Sequence, residues 1–90
     1  MISDSTRVAL VTGANRGIGR AIARGLGKRG CHVYLGARDE GRGRAAEREL
    51  RAEGLDVHFI RLDVTDEFSV TLAAKRIEEE VGRLDSLVNN

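Results

Sequence analysis

The sequence predicts an α/β fold on a doubly wound parallel sheet, of which these 90 residues carry a βαβαβαβ portion. Three observations predict it. Short apolar runs alternate with longer stretches whose apolar residues recur at helical spacing. The stretches between runs are long enough for crossovers, so consecutive strands lie parallel. The runs are apolar without alternation, as in strands covered by helices on both faces. A doubly wound fold that begins this way has strand order 3-2-1-4.

Arg7-Val-Ala-Leu-Val11 is the first strand, and a glycine-bearing turn follows it. Ile18 to about Lys28 is the first helix, with Ile18, Ile22 and Leu26 as its apolar stripe and Gly30 as the stop just past it. His32-Val-Tyr-Leu-Gly36 is the second strand. Asp39 to about Glu53 is the second helix, with Ala45, Ala46 and Leu50 inward, Asp39 as cap and Gly54 as its end. Val57 to Leu62 is the third strand. Asp66 caps a third helix that runs to about Val81, with Val70, Ala73, Ala74, Ile77 and Val81 on one face and Gly82 ending it. Ser86-Leu-Val-Asn-Asn90 opens a fourth strand. Gly is frequent (11 residues) and Pro absent, which suits helices without interruption.

Composition narrows the function classes. Apolar residues are 41% and charged residues 32%, the composition of a globular domain rather than a disordered or fibrous chain. Fifteen basic residues against fourteen acidic ones leave a net charge of +1, which supplies no electrostatic argument for nucleic acid or an anionic membrane. The lone Cys31 excludes an internal disulfide framework and reads as a packing residue. No secretory signal or spanning segment is readable, so a cytoplasmic setting is the expectation. Arg42, Arg44, Arg48 and Arg51 alternate with Glu40, Glu47, Glu49 and Glu53, which reads as a solvated, ion-paired helix. His32 and His58 lie on strands with no ligand cluster in sequence around them and read as buried or edge histidines; no metal site is expected.

The chemistry concentrates in Thr12-Gly-Ala-Asn-Arg-Gly-Ile-Gly19, between the first strand and first helix. Glycines there let the chain turn tightly and bring backbone N–H groups against a diphosphate, which the positive end of the helix also attracts. A P-loop is excluded, because no Gly-Lys-Ser/Thr follows. The spacing Gly13-x3-Gly17-x-Gly19 departs from the commoner G-x-G-x-x-G fingerprint. It matches the T-G-x-x-x-G-x-G signature of the short-chain dehydrogenase/reductase family, which the chain resembles along its whole length. Leu62-Asp63-Val64 resembles the family's adenine-contacting Asp and its neighbour, and Leu84 to Asn90 resembles the start of its N-N-A-G motif. With Ala37-Arg38-Asp39, the chain is most similar to the carbonyl-reductase-like, NADPH-preferring members.

The resemblance implies that residues 1–90 are the N-terminal portion of a single NAD(P)-binding Rossmann domain. Its candidate cofactor contacts are Gly13, Asn15, Arg16, Gly17, Ile18 and Gly19 in the turn, then Arg38, Asp63, Val64 and Asn90. Asn89 is assigned to structure.

Cofactor choice is read at the end of the second strand. NAD-binding folds place an acid there for the ribose hydroxyls, and a carboxylate repels a 2′-phosphate. Here Ala37 takes that place and Arg38 follows, able to offer a guanidinium fork to phosphate oxygens, with Arg16 in reach of the same group. NADP(H) is therefore expected over NAD(H).

The resemblance further implies that a serine, tyrosine and lysine beyond Asn90 carry the catalysis, so no catalytic residue is assigned within the chain. Tyr34 sits mid-strand with no lysine four residues on, and is not a catalyst. The expected function is hydride transfer between the nicotinamide and a small carbonyl or alcohol substrate by the longer parent protein, with these 90 residues inactive alone. The alternative is a non-catalytic NADP(H) sensor of the same fold. Substrate identity and oligomeric state are not readable.

Overall fold

The computed structural model describes residues 2–90. Its elements are β1 (Val8–Val11), α1 (Gly17–Lys28), β2 (His32–Ala37), α2 (Glu40–Ala52), β3 (Val57–Arg61), α3 (Glu67–Glu80) and β4 (Ser86–Val88). All strand pairs are parallel, in the order β3-β2-β1-β4, as the sequence predicts. Ala9, Val33 and Val57 stand in register across the three longer strands. The expected boundaries hold within a residue or two, because glycines with positive φ stand just after each helix: Gly30 (φ 87°), Gly54 (φ 84°) and Gly82 (φ 76°).

Helices cover both faces of the sheet. Ala23, Ala46 and Leu50 of α1 and α2 pack on Val11, Val33, Leu35 and Phe59 on one face. Ala73 and Ile77 of α3 pack on Val8, Leu10, Tyr34 and Ile60 on the other. Each residue of β1 and β2 is buried, which accounts for their unalternated apolar sequence.

The helix stripes need correction. In α1 the buried residues are Gly19, Ala23 and Gly27; Ile22 and Leu26 flank them half-buried, and Ile18 is 74% exposed. Small residues win the contact line because the helix lies close to the chain beneath it: a Cβ on Gly27 would stand 3.2 Å from the Leu55 Cβ. In α2 the contact line is Gly43, Ala46 and Leu50, with Ala45 only half-buried, because the Phe59 ring occupies the space a Gly43 side chain would need. In α3, Ser69, Ala73 and Ile77 are buried, whereas Val70 and Ala74 turn toward an apolar groove between α3 and β4.

Both predicted acid caps form. Asp39 Oδ1 accepts the Arg42 N–H at 2.8 Å, and Asp66 Oδ1 accepts the Phe68 N–H at 3.0 Å. Some of the charges of α2 and its cap are paired, in part with residues outside their own helix. Arg44 reaches Glu47 at 3.4 Å, while Glu49 and Glu53 take Arg20 and Arg24 of α1. Arg51 donates to the Val57 carbonyl at 2.8 Å. No helix among the described residues is long and apolar enough to cross a membrane.

Candidate cofactor-binding site

β1 leads into the turn at Thr12, and the turn is fastened on both sides. The Thr12 N–H donates to the Val88 carbonyl at 3.0 Å, and the Ala14 N–H to the Gly36 carbonyl at 2.9 Å. The turn therefore stands at the carboxyl ends of β1, β2 and β4, where open α/β sheets bind ligands. Gly13 (φ 59°) and Gly17 (φ 62°) occupy the left-handed region, so glycine is required at both for backbone reasons. Gly19 is required for space: a Cβ there would fall 2.5 Å from the Gly13 carbonyl oxygen and 2.7 Å from Asn90 Nδ2. Arg16 begins α1 in extended conformation, and among the described residues no side chain caps this helix start. Its first N–H groups are thus directed at whatever anion lies over the turn.

A cavity of about 530 Å³ opens above these residues. Gly13, Asn15, Gly17 and Ile18 line it from the turn, and Arg16 and Arg38 stand over it. Leu62 and Val64 supply an apolar wall from the end of β3, and Asn90 closes it from β4. Two predicted residues sit differently. Gly19 lies beneath the turn rather than on the cavity wall. Asp63 is outside the lining: its Oδ1 accepts both the Thr65 N–H (3.0 Å) and the Thr65 hydroxyl (2.7 Å). Those bonds, aided by Arg38 and Arg61, outweigh partial desolvation and hold the Asp63 carboxyl below its usual range.

Arg42 was not anticipated in this role. One turn into α2, it joins Arg16 and Arg38 on the cavity wall. Its signal in the sequence was its place three residues after the Asp39 cap, which puts it on the first turn of the helix. None of these three arginines is in an ion pair among the described residues, whereas Arg20, Arg24, Arg44, Arg76 and Arg83 all are. Asp39 also borders the cavity, with one carboxylate oxygen committed to the α2 cap.

Thr12 was also missed, although it heads the signature. Its hydroxyl accepts the Asn90 N–H at 3.0 Å and donates to Asn89 Oδ1 at 3.1 Å, and Asn90 Nδ2 donates to the Gly13 carbonyl at 3.3 Å. Asn89 thus holds the head of the turn, and Asn90 both braces the turn and lines the cavity. Tyr34 is fully buried, donates to Glu80 at 2.8 Å, and has its pKa pushed up by burial and by that carboxylate. Among the described residues it faces α3, away from the cavity.

A glycine turn at the switch point of a 3-2-1-4 sheet, with unpaired arginines above it, defines a dinucleotide-binding α/β domain. The sequence model of the family described as short chain dehydrogenase matches residues 7–90, and the chain belongs to that family. Carbonyl reductase (NADPH) 3 of Mus musculus is 50% identical over 90 residues, covering 99% of this chain and 32% of that protein. Menthone neomenthol reductase from Mentha piperita superposes with a TM-score of 0.92 at 43% identity, over 96% of this chain and 31% of that one. A variant of actinorhodin polyketide ketoreductase, crystallised with NADPH, superposes with a TM-score of 0.92 at 40% identity, over 100% of this chain and 34% of that one. The chain thus spans about a third of the length of these relatives.

Proposed function

We propose that the chain is the NADP(H)-binding portion of a short-chain oxidoreductase that transfers hydride between a nicotinamide cofactor and a carbonyl or alcohol substrate. One observation carries the cofactor choice: Arg16, Arg38 and Arg42 face one cavity, and Ala37 stands where an NAD-specific site would place an acid. Relatives named as NADPH carbonyl reductases support the same reading.

The residues fit this cofactor. The turn from Gly13 to Gly19 leaves room for a diphosphate against backbone N–H groups, where a side chain would collide. Arg38 and Arg42 hold the 2′-phosphate, and Arg16 closes over it. Leu62 and Val64 shield the adenine from water, with Asp63 at its edge. Asn90 holds the adenosine ribose while bracing the turn. When bound, the cofactor supplies or accepts the hydride. The groups that would protonate and orient a carbonyl are assigned to the longer parent protein, so these 90 residues contribute cofactor contacts and no catalytic group.

Fluorescence titration with NADPH and NADH tests this reading. Tighter binding of NADPH is expected; equal or tighter binding of NADH would reject it.

A further inference from the structure

At the opposite end of the sheet, three residues that the sequence keeps apart converge. Val33 is paired with Val57, so His32 and Asp56 face each other across the start of β2 and β3. Asp56 and His58 are two apart on an extended chain and project to one side. Asp56 consequently stands between two imidazoles: Oδ2 is 2.7 Å from His32 Nδ1, and Oδ1 is 2.6 Å from His58 Nε2. The two rings stack at 4.5 Å between centroids. His32 is buried, His58 is partly buried, and the carboxylate is half-exposed, so the cluster is built from within the fold yet open to solvent.

We propose that His32, Asp56 and His58 form a binding site for a divalent first-row transition ion, with Zn²⁺ as the best match. The donor atoms already lie within 4.8 Å of one another. A tetrahedral zinc ion with bonds of about 2.0–2.1 Å needs its ligands about 3.3 Å apart, so the Asp56 oxygens must draw back from the two rings and the ring nitrogens must settle to that spacing, which half-exposed Asp56 and partly buried His58 have room to do. Two imidazoles with one carboxylate suit zinc rather than magnesium or calcium, and they leave a fourth position for water. Burial works to raise the Asp56 pKa, but the hydrogen bonds from both histidines outweigh it, so the carboxyl stays ionised as a ligand must be.

One neighbour opposes the ion. Arg51 Nη2 lies 2.7 Å from His58 Nδ1, so Nδ1 accepts and the ring proton is on Nε2, toward Asp56. Coordination through Nε2 moves that proton to Nδ1 and turns the Arg51 donor away. Arg51 is therefore a competitor, and a residue that accepts from Nδ1–H would improve the site. A bound ion would clamp β2 to β3 and raise the melting temperature by mass action, while the cofactor cavity at the other end of the strands would be unaffected.

The test is calorimetric titration of Zn²⁺ into the longest natural form of the chain, purified without a histidine tag. One equivalent should bind with micromolar or tighter affinity, weakened at least tenfold in Asp56→Asn and His58→Gln and tightened severalfold in Arg51→Gln. NADPH affinity should not change. Co²⁺ on the unsubstituted protein should show the visible absorption of a four-coordinate site, a readout that needs no variant to fold. Absence of saturable binding, or equal binding by the Asp56→Asn/His58→Gln double variant, would overturn the proposal.

Discussion

A methyl group on Gly19 would lie 2.5 Å from the carbonyl oxygen of Gly13, so the first turn of α1 rests directly on the backbone of the glycine loop. The contact sets how near a diphosphate can approach the helix start. Gly19→Ala is sufficient to disturb it, because the obstacle is backbone and cannot rotate away. The opening of that contact costs about 1–3 kcal/mol of strain, and NADPH affinity measured by calorimetry should fall roughly tenfold or more. Gly19→Val should abolish binding. Native affinity in either variant would contradict the cradle.

Arg38→Asp should reverse cofactor preference in the full-length protein. The change removes a guanidinium fork and adds a charge that repels the 2′-phosphate. A charged hydrogen bond of this kind contributes on the order of 1.5–3 kcal/mol, so the ratio of kcat/KM for NADPH over NADH should drop about ten- to hundredfold. Arg42→Ala should lower it in the same direction. An unchanged ratio would remove these arginines from phosphate recognition.

Gly43→Ala is expected to destabilise the fold, against its helix propensity. Alanine gains about 1 kcal/mol over glycine in a helix interior. The new Cβ would stand 2.1 Å from the Phe59 ring, which is buried and carries the Arg44 guanidinium 5.1 Å from its centroid. Overpacking of about 1–3 kcal/mol should exceed the propensity gain, and chemical denaturation should show a lower midpoint.

Asp85 governs part of the acid limb of stability. Its Oδ2 accepts the Val8 N–H at 2.8 Å, and this bond, with Arg83 and Arg7 nearby, outweighs slight desolvation and holds the carboxyl below its ordinary value. A group with a depressed folded pKa stabilises above its unfolded pKa and loses that contribution as pH falls through the folded value. Asp85→Asn should therefore lower the melting temperature at neutral pH and leave it nearly unchanged at the acid extreme.

The 90 residues alone should associate or lose fixed packing, and should oxidise no NADPH with added carbonyl. Leu87 on β4 is 61% exposed, and the groove beside it is lined by Leu84, Val70 and Ala74. Apolar surface beside an open strand edge is a template for association. Dispersed, sharp amide signals from a monomer, or substrate-dependent oxidation, would contradict this.

The sequence by itself determined the order of elements, the strand order and the glycine turn. The elements and the turn depend on local signals (apolar runs, caps at Asp39 and Asp66, and glycines whose backbone no other residue adopts easily), and the strand order follows from the doubly wound pattern they spell out. Arg16, Arg38 and the missing acid at Ala37 were legible for the same reason, since they sit at fixed offsets from the strand ends. Tertiary structure alone decided which helix residues touch the sheet. Gly19, Gly27 and Gly43 displaced the larger apolar side chains because close approach selects for the absence of a side chain, which no hydrophobic period records. It alone placed Arg42 beside Arg38, and Asp56 between His32 and His58, because strand register brings together residues that are 24 positions apart.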